Sequence, residues 1–413
     1  MHVTQLLDKH LRNHCQGTHS KRMEVVLSMV EALLRGRTLT VTGLGRSLRG
    51  AVAPKHQIKK ADRLVGNGYL HSERQTFYRA LTAMTVGKLK RPVILVDWSD
   101  ISDDRAHQKL RASMAVNGRA LTLYEEVHPQ SRAATRAVQN QFLKTLQQLL
   151  PDKCQPIIVT DAGFKNPWFK AVRKLGWDFV GRVGGHLMIR DNAESEWIRV
   201  EQVFATTTRR ARYYGEVELA RSNPIHCHAY TLKRKPAGRI KKTRFGKKSE
   251  MKHSLKNAHR ERTPWLLVTS LEGGISITQS VIRLYQSRMQ IEEAFRDLKN
   301  HRYGFSFRDC LTRKRYRLEN LLLIGALATF AAWLVGKVAE MRNMHQRYQA
   351  NTIRNRSVLS TFYLGLEVIA SGEVKVMLID FRNAIRSLHE DRYISILADR
   401  FVGIRHGQTM VLS

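Results

Sequence analysis

The sequence predicts an α/β protein flanked by helical regions at both ends. Three observations carry this. An apolar run ending in carboxylates, PVILVDWSD, begins at residue 92, where helical spacing gives way to strand-like patterning. Two further strand-like segments, LRASMAV and ALTLYEEV, are joined by Asn117-Gly118, the strongest short hairpin signal. Residues 1 to about 90 and the chain beyond about 275 instead repeat apolar residues at helical spacing.

In the first region, Met23, Val26, Leu27, Val30 and Leu33 mark one helix, with Gly36 as its stop. A small helix follows in TLTVTGLGRSLRG, then a basic one bearing Lys55, Lys59, Lys60 and Arg63. Helix, turn and basic helix suit DNA binding, although three-helix packing also occurs in proteins that bind nothing. After the hairpin, a helix is expected from about Ser131 to Leu150, then the apolar run PIIVTD, then a helix capped by Asn166 with Pro167 as its first residue. Three strands, helix, strand, helix is the opening order of a ribonuclease-H-like α/β fold.

Between about 186 and 272 the pattern returns to strands. In IHCHAYTL, Ile225, Cys227 and Ala229 alternate with His226, His228 and Tyr230, as in a half-buried strand. The two histidines share a face, but solvation explains them more simply than metal binding. Residues Lys233 to Arg262 carry 13 Lys+Arg against two Glu, a basic loop that includes Lys241, Lys242, Arg244, Lys247 and Lys248. The apolar stretch from Leu321 to Gly336 falls short of the ~20 residues of a membrane span and reads as a buried core helix.

The chain has 413 residues with 70 Lys+Arg, 35 Asp+Glu and a formal net charge of +35, yet 43% of it is hydrophobic. That is too apolar for a disordered polycation and long enough for two or three domains. Charge of this size is costly unless a polyanion offsets it, so nucleic acid is the expected partner and a membrane surface is not. The four cysteines are widely separated and form no CxxC pair, which argues against a disulfide framework or a cysteine zinc site. The first fifteen residues hold no apolar signal segment, so the expected location is the cytoplasm.

Asp97 ends the VILV run and Asp161 ends PIIVT. Were both strands central and adjacent, two carboxylates would meet at a sheet edge, and a divalent cation would relieve their repulsion. In LYQSRMQIEEAFRDLKN, Tyr285, Arg288, Glu292 and Lys299 stand at offsets of three, seven and fourteen. On one helix they span an arc of roughly 60°, presenting a phenol, a guanidinium, a carboxylate and an ammonium together. Such a face can complete a metal site and hold phosphates. A solvated face with an Arg288–Glu292 ion pair is the plain alternative.

This spacing, with VDWSDI around Asp97, VTDAGF around Asp161, RMQIEEAFRDLK around Glu292 and QANTIRNRSVLS from Gln349 to Ser360, resembles the bacterial DDE transposases of the insertion-sequence-four family. The branch containing the transposase of transposon ten is the most similar. The resemblance covers nearly the whole chain. It implies a ribonuclease-H-like catalytic core, residues 91–185 and 273–340, interrupted by a β-rich insertion domain, 186–272. A DNA-end-binding domain, 1–90, would precede the core and a helical assembly region, 341–413, would follow it.

The resemblance also implies that Asp97, Asp161 and Glu292 are the catalytic metal ligands for two Mg²⁺, with Mn²⁺ able to substitute. Tyr285, Arg288 and Lys299 would hold DNA phosphates, and Trp265 would hold a flipped base. Asp100, Asp103, Asp104 and Glu293 are set aside as structural or as neighbours of the ligands rather than ligands themselves. The implied activity is cut-and-paste transposition: end cleavage through hairpins, then joining of the 3′-ends to target DNA. A homodimer on paired double-stranded ends is expected in a bacterial, nucleoid-associated setting, with a host DNA-bending protein as a further partner. A plain metal-dependent DNA nuclease on the same fold and a non-catalytic DNA-binding protein are the competing readings.

Overall fold

The computed structural model describes residues 3–102, 104–235, 250–251, 255, 262–373 and 376–390. In chain order, the helical N-terminal region is α1 (Val3–His14), α2 (Ser20–Gly36), α3 (Val41–Arg46), α4 (Pro54–Val65) and α5 (Gly68–Val86). Then come β1 (Val93–Asp100), β2 (His107–Val116), β3 (Arg119–Pro129), α6 (Arg136–Leu149), β4 (Ile157–Thr160), α7 (Asn166–Lys174) and β5 (Asp178–Arg182). Next are β6 (Met188–Arg190), β7 (Ile198–Arg199), α8 (Val200–Thr206), β8 (Arg212–Leu219), β9 (Ile225–Leu232) and β10 (Trp265–Thr269). The described chain ends with α9 (Thr278–Ser287), α10 (Met289–Lys299), α11 (Arg315–Met341), α12 (Thr361–Ser371) and α13 (Leu378–His389). Three strands, helix, strand, helix is the order read from the sequence, and the fold is α/β with a ribonuclease-H-like core.

Contacts divide the described residues into two compact units, the first drawn from the chain up to 156 and from 289 onward, the second from between 157 and 288. Residues 91–185 and 273–340, grouped from sequence as two parts of one core, are shared between these units.

In the first unit, α2 buries Met23, Val26, Leu27, Val30 and Leu33 along one stripe. It stops at Gly36, where Arg37 turns left-handed (φ 51°) and returns its N–H to the Leu33 carbonyl at 2.8 Å. The β1–β2–β3 meander is antiparallel, and its hairpin turns through Asn117 and Gly118 with a positive φ of 80° at the glycine. Val93 to Val96 of β1 are buried.

Helix α11 is the centre of this unit and packs against α1, α2, α4, α5, β3, α12 and α13. Its 27 residues are long and apolar enough to cross a membrane by length and composition, and 89% of the apolar window is buried inside the protein. Two polar side chains join it to its neighbours. Glu319 is 1% exposed and accepts from His71 Nε2 at 2.7 Å and from the Val127 N–H at 3.0 Å, with Arg74 Nη2 at 3.1 Å. Asn320 Nδ2 donates to the Val65 and Asn67 carbonyls across the α4–α5 turn.

In the second unit the strand order is β4-β5-β10-β9-β8-β6-β7. The β4–β5 pair is parallel and bridged by α7, whereas β5–β10, β10–β9, β9–β8, β8–β6 and β6–β7 are antiparallel. Strand β9 buries Ile225, Cys227 and Ala229 and exposes His226, as the alternation predicted, but Tyr230, expected on the outer face, is fully buried against Tyr213 with its hydroxyl on the Gly274 backbone. The cap of α7 differs from the expectation. Lys165 is the N-cap, and Asn166, 3% exposed, turns its amide to the Leu219 and Asn223 carbonyls. Both Asn166 amide N–H groups are thus committed to these distant carbonyls, and α7 starts without a side-chain cap hydrogen bond.

Candidate active site

Asp97 lies where β1 passes from buried to half-buried, is itself 9% exposed, and accepts the Trp98 N–H on Oδ1 at 2.8 Å. Glu292 is half-buried in the first turn of α10, where the helix dipole favours a carboxylate. Ile291, Ala294, Phe295 and Leu298 bury the inner face of α10, which packs across β1, β2 and β3. Two polar links fix its course. Arg119 Nε donates to Asp297 Oδ2 at 2.6 Å, and Lys299 Nζ donates to Ser99 Oγ at 2.8 Å and to the Asp100 carbonyl. The first unit therefore brings the Asp97 strand and the Glu292 helix into direct packing, with Lys299 tied to the end of that strand.

In the second unit, Asp161 follows β4 at once, and its Oδ1 accepts the Gly163 N–H at 2.8 Å in a tight turn. Tyr285 of α9 is buried, and burial pushes its phenol above the ordinary value, opposed by the Arg288 and Arg182 cations and reinforced by the Asp161 carboxylate. The Arg288 guanidinium lies 5.9 Å from the Tyr285 ring. Trp265 begins β10 at 8% exposure, edge-on to Tyr285 at 4.7 Å, with the Arg234 guanidinium over its ring at 4.9 Å.

The single helix expected from Tyr285 to Lys299 is divided. α9 ends at Ser287, and the Arg288 N–H bonds back to the Tyr285 carbonyl at 3.1 Å, a three-residue closure that tightens the last turn before α10 begins at Met289. Tyr285 accordingly belongs to a buried face, while Arg288, Glu292 and Lys299 remain half-buried.

The carboxylates set aside from sequence have other partners. Asp100 accepts from Gln108 Nε2 at 2.8 Å, Asp104 accepts from the Ala106 N–H at 3.1 Å, and Glu293 pairs with Arg296 at 2.8 Å; Asp103 lies outside the described residues. His226 and His228 turn to Glu218 and Tyr213, each at 2.9 Å. Among the described residues of either unit taken by itself, no group of three or more His, Cys, Asp or Glu side chains is gathered for a metal ion. The first unit supplies Asp97 and Glu292, and the second Asp161.

Lys55, Lys59, Lys60 and Arg63 are exposed along α4. The last three join Lys21, Arg22 and His56 around a cleft of about 480 Å³ with no carboxylate in its lining. Lys241, Lys242, Arg244, Lys247 and Lys248 lie outside the described residues.

Sequence reading missed four charged residues at these sites. Arg182 reaches the Thr263 and Pro264 carbonyls beside Trp265, and Lys109, Arg111 and Glu125 are buried beneath α10. The available signal was Lys109 and Arg111 two positions apart in a strand, which a period of two assigns to solvent unless a helix covers that face.

The family model for the transposase DDE domain matches residues 88–330, more than half of the chain, and that span includes Asp97, Asp161 and Glu292. Among solved structures, the chain is similar to a cryo-EM structure of the piggyBac transposase synaptic complex with hairpin DNA. The likeness has 12% identity and a TM-score of 0.42, over 95% of this chain and 74% of that one. No curated protein matches. The matched span takes in the β1 strand that carries Asp97, the turn after β4 that carries Asp161 and the helix that carries Glu292, and the chain belongs to the transposase DDE domain family.

Proposed function

We propose that the protein is a cut-and-paste DNA transposase that binds inverted-repeat ends, cleaves them through hairpin intermediates and joins the freed 3′-ends to target DNA. The observation that carries this reading is the family match across residues 88–330, with all three carboxylates of the spacing present inside it. The net charge of +35 supports a polyanionic partner.

In this reading Asp97, Asp161 and Glu292 hold two Mg²⁺ ions. The donor set suits a hard cation, since all three offer only carboxylate oxygens and no soft ligand stands among them. Bound Mg²⁺ supplies Lewis-acid activation of an attacking water or 3′-hydroxyl and neutralises charge on the leaving oxygen. The protein's own groups position the DNA. Arg288 offers a planar fork to phosphate oxygens, and Lys299, anchored on Ser99 and the Asp100 carbonyl, offers a point charge at the end of the Asp97 strand. Trp265 receives a flipped base by giving up the Arg234 guanidinium that now covers its ring. Lys55, Lys59, Lys60 and Arg63 grip the end-proximal duplex, with the basic loop at Lys241, Lys242, Arg244, Lys247 and Lys248 as a further phosphate contact. Two protomers hold two ends, and the protein works on cytoplasmic DNA.

The test is a denaturing gel of a DNA fragment carrying the native ends, incubated with Mg²⁺ and either wild type or Glu292→Gln. Hairpin ends and joined products made by wild type and absent from the variant support the proposal. Cleavage without joining favours a nuclease, and tight end binding without cleavage favours a DNA-binding protein.

A further inference from the structure

We propose that Arg111 is a positioning residue that sets the Asp97 strand against the Glu292 helix, acting through Glu125 and Phe295; this rests on the carboxylate assignment above. Strand β2 is the middle of the meander, and Arg111 stands directly opposite Asp97 on one side and Glu125 on the other. Opposed residues of an antiparallel ladder point to the same face with Cβ atoms ~4.5–5.5 Å apart, so Asp97, Arg111 and Glu125 form one row across the sheet.

Contacts on that face connect the row to α10. Arg111 Nε donates to Glu125 Oε2 at 2.8 Å, and Nη2 lies 2.7 Å from the same oxygen. The guanidinium sits 5.1 Å from the centre of the Phe295 ring, and Lys109 Nζ sits 4.6 Å from it. Phe295 comes three residues after Glu292 on α10, close to one helical turn. A single aromatic ring thus rests on the two basic side chains of β2 and belongs to the helix that carries the third carboxylate.

The cost of this arrangement argues for a purpose. Arg111 is 3% exposed and Lys109 and Glu125 are fully buried, so two basic side chains share one carboxylate away from water. Well-packed apolar residues in such a place are commonly as stable or more so. Burial and the neighbouring Arg111 cation lower the Lys109 ammonium well below its ordinary range, opposed by Glu125, whereas a guanidinium stays charged in such a place. A planar guanidinium can bond Glu125 along one edge while its carbon stands over the Phe295 ring, and the row it joins ends at Asp97.

The test uses the full chain, with Mn²⁺ alone as the probe. Mn²⁺ affinity is measured by calorimetry without DNA, and end-DNA affinity without metal, for wild type, Arg111→Lys, Phe295→Leu, their double variant and Glu292→Gln. Arg111→Lys loses the fork and places an amine where burial already disfavours the ammonium form, so Phe295→Leu, which alters no charge, is the variant that reports geometry alone. Each single variant is expected to lose roughly tenfold in Mn²⁺ affinity, the size typical of residues that orient metal ligands. The double variant should lose no more than the worse single, and end-DNA affinity should stay within about twofold.

Full Mn²⁺ affinity in folded Arg111→Lys, or equal losses of metal and DNA binding, would overturn the role. Should Arg111→Lys fail to fold, Phe295→Leu, which leaves every charge in place, decides alone. Glu292→Gln separates the two readings. If it binds Mn²⁺ like wild type, the carboxylate assignment falls and this proposal with it; if it loses Mn²⁺ while Arg111→Lys does not, only the positioning role is overturned.

Discussion

Lys299 shows how a residue type legible in the sequence acquires its meaning from geometry. Its ammonium is fixed on Ser99 Oγ and the Asp100 carbonyl, so its charge is held at the end of the Asp97 strand rather than moving freely through solvent. Arg288 is set at the closure between α9 and α10. Replacing either by alanine is expected to lower cleavage of end DNA by about 10²-fold, some 2.7 kcal/mol of transition-state stabilisation, while binding to random duplex changes little. Filter binding on end and random DNA beside single-turnover cleavage checks this, and equal losses on both DNAs would contradict the role. Glu292→Gln should be more severe, reducing cleavage by at least about 10³-fold, read on the same gels. The spacing of Tyr285, Arg288, Glu292 and Lys299 was readable because a helical period sets it. The cluster of Lys109, Arg111 and Glu125 was not, because only α10, distant in the chain, makes that sheet face an interior.

At the scale of elements, α11 is the clearest case. Its apolar run, Leu321 to Gly336, reads in the sequence as a core helix, while the full 27-residue helix is long and apolar enough to cross a membrane. Surrounding helices decide between them. The crossing with α12 depends on glycine at both helices. A Cβ on Gly336 would fall 1.7 Å from the Thr361 carbonyl oxygen, and one on Gly365 would fall 1.8 Å from that of Ala332. Backbone cannot yield as a side-chain tip can, so Gly336→Ala should cost about 1–3 kcal/mol, the usual range for overpacking. Differential scanning calorimetry should show a midpoint several degrees lower, and an unchanged midpoint would mean that the two helices separate at little cost. The divided helix at Arg288 and the displaced cap at Asn166 belong to this scale too. Local signals located the helix start near Asn166 and the helical run from Tyr285, but Lys165 is the cap and the run is divided, because tertiary acceptors and a tightened turn intervene.

Across the whole molecule, charge and burial make two predictions. With a net charge of +35, DNA binding should weaken steeply with salt, by a log–log slope of about −0.9 for each phosphate neutralised. Fluorescence anisotropy across a salt series measures this, and a flat response would remove the electrostatic argument. The thiols make the protein sensitive to alkali. Burial pushes Cys15, Cys154 and Cys227 up to about 12, whereas unfolded thiols ionise near 9. The folded state therefore holds more protons than the unfolded one above pH 9. The stability this contributes is intact below pH 9 and is lost as pH rises toward 12. Urea midpoints under reducing conditions should fall between pH 8 and pH 10.5, and a constant midpoint would count against buried thiols.

Sequence alone determined the α/β class, the helical flanks, the Asn117-Gly118 hairpin and the family to which the residues around Asp97, Asp161 and Glu292 point. Each of these rests on local periodicity, turn chemistry or fixed spacing, which a chain carries before it folds. Tertiary structure alone decided which charged side chains are interior, what the Asn166 amide bonds, where the helix bearing Glu292 begins and how α11 is covered. Those outcomes depend on partners far apart in the chain. A buried polar group bonds whatever folding places beside it, and local pattern carries no record of that neighbour.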